Sequence, residues 1–183
     1  AYQDKVQMEL YKLLLAGYGK EKVTTGDEAG FTVKGLGSSE KAIDLVVQAM
    51  INAGLKPGVD IKLALDVAGT TFYNDKEYVY EFQGKKLTSE QMVVFYINLA
   101  KNYPGLIYSI EDGLAENDWL GWKTFTQKMT ELGIITIGDD LFVTQMARLS
   151  RGVTEKSASG ILIKVNQNGS LRGTLEVIKY ARA

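Results

Sequence analysis

Three acidic residues and one lysine stand at the ends of short apolar runs in this chain. Asp66 closes the run 61–66, Glu111 the run 106–111, Asp139 the run 134–139 and Lys164 the run 161–164. Oxygen donors of this kind suit a hard cation such as Mg²⁺, and a lysine beside them has the type of a general base. One such carboxylate would mean little, because Asp at a strand end often caps the next helix. Three carboxylates and a lysine in successive units are harder to assign to capping. The alternative to a catalytic site is then a structural ion cluster.

Composition narrows the chemistry further. The 183 residues include no His and no Cys. That excludes, within this chain, a Ser-His-Asp triad, a His-ligated zinc site, disulfides and thiolate nucleophiles. Acid–base work must fall to Lys, Asp, Glu or Tyr, and a metal site must be built from oxygen. A balance of 21 basic and 22 acidic side chains gives a net charge of −1, so there is no electrostatic footprint for nucleic acid or for an anionic membrane. No apolar run approaches the roughly 20 residues of a membrane span. The absence of Cys fits a cytoplasmic protein.

The elements that must position these residues alternate. A helical spacing at Val6, Leu10, Leu13 and Leu14 precedes Gly17, a candidate C-cap, and a short segment 22–25 leads to the loop Gly26-Asp27-Glu28-Ala29-Gly30. Ser38 or Ser39 caps a helix that Gly54 stops, and Thr88-Ser89-Glu90-Gln91 reads as a capping box for a helix ended by Pro104. Segment 71–80 reads as a hairpin turning at Asn74 to Lys76, and helices are expected near 117–132, 141–151 and 170–182. The order is one helix, then five strand–helix repeats with a hairpin insertion. Carboxylates from successive strand ends favour an α/β fold of the TIM-type (β/α) barrel over a doubly wound sheet. A whole barrel usually takes about 250 residues, so five units make a partial one. With Ala1 opening inside a helix and Ala183 closing inside an apolar-periodic run, 1–183 reads as a single barrel domain lacking at least its first and last strands. A natural small α/β protein is the plainer alternative.

Beyond these patterns, the chain resembles the enolase family from about Gly17 to its end. The resemblance rests on Gly26-Asp27-Glu28-Ala29-Gly30-Phe31, Leu65-Asp66-Val67-Ala68, Ser109-Ile110-Glu111-Asp112, Gly138-Asp139-Asp140-Leu141 and Ile163-Lys164-Val165-Asn166-Gln167. It implies Mg²⁺-dependent dehydration of 2-phosphoglycerate to phosphoenolpyruvate, with Asp66, Glu111 and Asp139 holding the metal. It further implies that Lys164 takes the C2 proton and that Glu28 belongs to the acid side that expels the C3 hydroxyl. Glu28, Glu111, Asp139 and Lys164 would then contact substrate, and the full-length protein would be a homodimer. A lysine base working with Mg²⁺ is a known feature of enolase-superfamily sites.

Several residues depart from the family pattern. Ala29 stands for a Gly, Gly113 for a Pro, Thr32-Val33-Lys34 for Ala-Pro-Asn, Gln145 for an Asn and Asn168 for an Ile. Of these, Ala29 bears on the loop that carries Glu28, whereas the others read as peripheral. The family's N-terminal lid domain, second active-site Lys and His-Arg-Ser segment have no counterpart in 1–183, so the chain alone is expected to be inactive. Two other readings remain open, a racemase or lactonising enzyme of the same superfamily and a non-catalytic barrel module.

Weaker signals have structural explanations. Trp119 and Trp122 read as packing residues, Gly35-Leu36-Gly37-Ser38-Ser39 as a loop and N-cap, and the aromatics from Phe72 to Phe82 as cover for a β surface. Asp140 either supports Lys164 or caps the following helix. Asn166 and Gln167 belong mainly to a turn, with the option of facing the site.

Overall fold

Apolar residues at helical spacing make the first element α1 (Tyr2–Tyr18), with Val6 and Leu14 buried. Gly17 lies inside this helix. Gly19, with φ +82°, takes the left-handed position expected of a C-terminal glycine. The computed structural model describes residues 2–26 and 29–183, in two compact units, one ending at Lys62 and the other beginning at Leu63.

In the first unit, β1 (Val23–Thr25) pairs antiparallel with β2 (Phe31–Val33), Val23 opposite Val33. The first of the five expected strand–helix repeats is therefore a two-stranded ribbon. Closing a short loop costs little chain entropy, so the segment pairs with its neighbour in sequence. Gln7 donates to the Ala29 carbonyl at 2.9 Å, and Tyr11 stacks on Phe31. α2 (Ser39–Asn52) starts on the expected cap, the Ser38 hydroxyl accepting from the Lys41 amide at 3.2 Å. Its buried Ile43, Ala49 and Met50 share this unit's core with α1.

The second unit is built on parallel strands. β3 (Leu63–Asp66) leads into a meander of β4 (Tyr73–Asn74), β5 (Val79–Phe82) and β6 (Lys85–Leu87). The first turn forms where expected, with Asn74 Oδ1 accepting from the Lys76 and Glu77 amides. α3 (Ser89–Asn102) follows from a complete Thr88–Gln91 capping box. Then come β7 (Ile107–Glu111), α4 (Trp119–Glu131), β8 (Ile135–Gly138), α5 (Met146–Glu155), β9 (Gly160–Ile161), α6 (Val165–Asn168) and α7 (Leu171–Ala181). β3, β7, β8 and β9 lie side by side in that order, all parallel. This is α/β architecture of the partial-barrel kind.

Two boundaries differ from the sequence reading. α5 starts at Met146 because residues 139–144 form a tight turn in which Val143 and Thr144 have positive φ. β9 ends at Ile161, so Lys164 is an extended residue just ahead of α6.

α4 contributes Trp119, Trp122, Phe125 and Met129 to the core of the second unit. Trp122 and Phe125 are wholly buried, and the indole N–H of Trp122 donates to the Ala115 carbonyl at 3.1 Å. Gly113, the residue that replaces a proline, leaves room for the Phe125 ring: a Cβ there would stand 2.6 Å from Phe125 Cζ. The buried Phe142 ring likewise lies against the bare backbone of Gly138 and Gly152.

Gly152→Ala sets two effects against each other. Helix propensity favours Ala by about 1 kcal/mol, whereas overpacking against a ring that cannot leave costs about 1–3 kcal/mol. The expected outcome is a net loss of stability and a lower urea midpoint. A raised midpoint would show that Phe142 moves aside freely.

Candidate active site

Parallel register places the candidate residues. Asp66 and Glu111 are direct partners in the β3–β7 ladder, and Glu111 is opposite Ile137 in β8, two residues before Asp139. Lys164 follows β9, the next strand of the sheet. Its Nζ donates to Asp139 Oδ2 at 2.5 Å. The other oxygen, Asp139 Oδ1, accepts from Gln167 Nε2 at 2.7 Å. Asp66 Oδ1 accepts from the Ala68 amide at 3.2 Å.

Crowding of like charges governs the electrostatics. The half-buried Glu111 carboxyl is pushed up to about 7, first by burial and then by the charges of Asp66, Asp139 and Asp112, with Lys164 opposing. Lys164 is raised above its ordinary value, chiefly through its hydrogen bond to Asp139.

Beside the expected residues stands Asp112, whose neighbours in the motif drew attention and which itself did not. It is buried, has φ +42°, and clamps the next loop: Oδ1 accepts from the Asp139 amide at 3.0 Å and Oδ2 from the Asp140 amide at 2.7 Å. Burial pushes its carboxyl up to about 6 despite those two amides. Among the described residues, Asp112, Asp139 and Asp140 are the carboxylates whose oxygens approach within 4.8 Å of one another. Both oxygens of Asp112 accept backbone amides of the other two, so hydrogen bonding accounts for its place in that grouping. Asp140 does not cap α5, whose N-cap is Gln145; its charge contributes to the raised Lys164.

Gln167, assigned mainly to a turn, reaches Asp139 directly. Thr144 was missed altogether: its buried hydroxyl accepts from the Lys164 amide at 2.9 Å. Gln145 and Asn168, read as peripheral, meet across the same place, with Gln145 Nε2 donating to the Gln167 carbonyl and Asn168 Nδ2 to the Thr144 carbonyl. Glu28 lies outside the described residues. Ala29 beside it has φ +60°, a conformation that suits the glycine of the family pattern.

Carboxylates and a lysine that follow the C-terminal ends of neighbouring parallel strands stand on the rim where (β/α)-barrel proteins carry their sites. The family described as enolase, C-terminal TIM barrel domain, matches residues 3–183. Enolase 1 of Methanospirillum hungatei is 43% identical over 176 residues, 95% of this chain. The chain therefore belongs to the enolase family, in its C-terminal barrel domain. It spans 40% of the length of that curated relative.

Raised carboxyls make the metal-free chain pH-sensitive. Glu111 and Asp112 start from ordinary values of 4.5 and 3.8 and rise to about 7 and about 6 on folding. The stability they contribute is fully present below the ordinary values and is lost as pH rises through the folded ones. Urea midpoints without divalent cations should fall between pH 5 and pH 8, and Glu111→Gln should remove the upper part of that fall. An unchanged slope in the variant would show that Glu111 ionises normally in the folded chain.

Proposed function

We propose that this chain carries the carboxylate–lysine part of an enolase site, which in the complete protein interconverts 2-phosphoglycerate and phosphoenolpyruvate. The observation that carries the reading is Lys164 Nζ on Asp139, with Glu111 and Asp66 on the neighbouring strand ends, in a chain 43% identical to a named enolase. The donor set fits Mg²⁺. All three side chains offer hard oxygen, and Glu111, raised first by burial and then by the charges of Asp66, Asp139 and Asp112, would be relieved by a divalent cation. Asp66, Glu111 and Asp139 would hold the ion. Once bound, it would stabilise the negative charge that develops on the substrate carboxylate as the C2 proton departs.

The protein's own residues would do the rest. Lys164 takes the C2 proton, and the C3 hydroxyl leaves as water with a proton supplied from the side of Glu28. Glu28, Glu111, Asp139 and Lys164 make up this chain's share of the substrate contacts. A base must be neutral, and here Lys164 is held protonated by Asp139. Lys164 must therefore give up its proton, which the hydrogen bond to Asp139 opposes, before it can accept another. The complete protein is read as a cytoplasmic glycolytic enzyme that forms a homodimer. Among the described residues no helix is long and apolar enough to cross a membrane.

Two variants of the complete gene product separate the roles. Lys164→Ala should lower C2 proton exchange by at least about a hundredfold and leave Mg²⁺-dependent substrate binding largely intact. Asp139→Ala should weaken Mg²⁺ binding and recover part of its activity as Mg²⁺ is raised. C2 exchange at the parent rate in Lys164→Ala would assign the base elsewhere. The 183-residue chain alone should give no phosphoenolpyruvate in a coupled assay, because the second active-site lysine and the His-Arg-Ser segment that the family resemblance implies have no counterpart in it. Metal-dependent turnover by that chain would overturn this division of the site.

A further inference from the structure

We propose that Thr144 is a positioning residue for Lys164, its hydroxyl closing a ring of hydrogen bonds that fixes the lysine, Gln167 and Asp139 relative to one another. The catalytic meaning of this ring rests on the enolase reading above; the ring itself rests on geometry. Thr144 Oγ1 accepts from the Lys164 amide at 2.9 Å, and of the two acceptors for its single proton Gln167 Oε1 at 2.9 Å is nearer than the Leu162 carbonyl at 3.5 Å. That bond orients the Gln167 amide, whose Nε2 then points its donor at Asp139 Oδ1, 2.7 Å away. Lys164 Nζ on Asp139 Oδ2 closes the circuit.

Backbone conformation sharpens the point. Val143 has φ +41° and Thr144 φ +51°, consecutive left-handed residues that are both β-branched, a rarity for such side chains. Strained backbone of this kind survives only where the surroundings over-determine it. Here Leu141 and Phe142 are buried, Arg148 Nε donates to the Leu141 carbonyl and Asn168 Nδ2 donates to the Thr144 carbonyl. Thr144 itself has no exposed surface. Serving only as filler, the position would take Val as well as Thr and would not require a hydroxyl aimed at the lysine's amide.

Thr144→Val keeps the branching and removes the hydroxyl, whereas Thr144→Ser keeps the hydroxyl. In the complete gene product, Thr144→Val should lower kcat for C2 exchange between about tenfold and a hundredfold with KM nearly unaltered, as a small misplacement of the reacting group does. Thr144→Ser should restore most of the rate. In the chain itself, amide hydrogen exchange at Lys164 should accelerate in the valine variant and stay slow in the serine variant. Should Thr144→Val fail to fold, Gln167→Met opens the same ring at a half-exposed position and carries the same expectation for kcat. Parent kcat in whichever of these two variants folds, or equal loss in the serine and valine variants, would overturn the proposal. If the parent protein shows no C2 exchange at all, the enolase reading fails, and protection of the Lys164 amide alone decides: lost in valine and kept in serine upholds the ring, no difference overturns it.

Discussion

Parallel pairing obliges every strand to leave the sheet at the same edge, and the rest of this site follows from that constraint. Asp66 is brought opposite Glu111, and Asp139 is carried to the next strand end. Carboxylates so arranged repel one another, and each must find donors or give up its charge. The chain answers differently for each. Asp112 receives two amides, Asp139 receives Lys164 and Gln167, and Glu111, raised first by burial and then by its acidic neighbours, goes to about 7. The least satisfied of the buried or half-buried groups is the one from which a cation would draw most.

The same constraint makes the strand exits hard to build. A chain leaving a strand must turn at once, and three of these exits use non-glycine residues in the left-handed region. Ala68 follows β3 with φ +49°, Asp112 follows β7 with φ +42°, and Val143 and Thr144 lie in the turn after β8. Each costs on the order of 1–3 kcal/mol. Packing nearby offsets it, with Phe142 seated on two glycines and the 113–118 loop secured to Tyr96, Tyr80 and Trp122 by hydrogen bonds. Arg148 joins two of these loops, donating to the Leu141 and Glu116 carbonyls. Four of the eight non-glycine residues with positive φ among the described residues thus lie at the edge where the candidate site residues stand.

Legibility in the sequence followed the range of the interaction. The Ser38 cap and the Thr88–Gln91 box are local patterns that form as the residues imply, and the parallel strands follow one another as expected. The carboxylates were visible because each stood next to an apolar run. Asp112 and Thr144 were not visible, and Gln167 was only an option beside a turn, since their roles are hydrogen bonds to residues 20–28 positions away. The antiparallel pairing of β1 with β2 was missed because a three-residue strand does not announce its partner. The departures at Gln145 and Asn168 looked independent along the chain, yet each side chain reaches the main chain beside the other. Only the fold shows that they act together around Thr144.

Lys164 is the residue whose present state differs most from its proposed task. Ion-paired with Asp139, it holds its proton more tightly than a free lysine. A base locked in this way must be released without losing its place. The ring of bonds through Thr144 provides for that, because its members are not equivalent. Breaking the Lys164–Asp139 contact frees Nζ, while the lysine's own amide stays on Thr144 and Asp139 stays on Gln167. Only the flexible side chain then moves. The entropy of positioning has already been met by the folded backbone, which is where positioning has to be met if the approach of base to proton is to be fast.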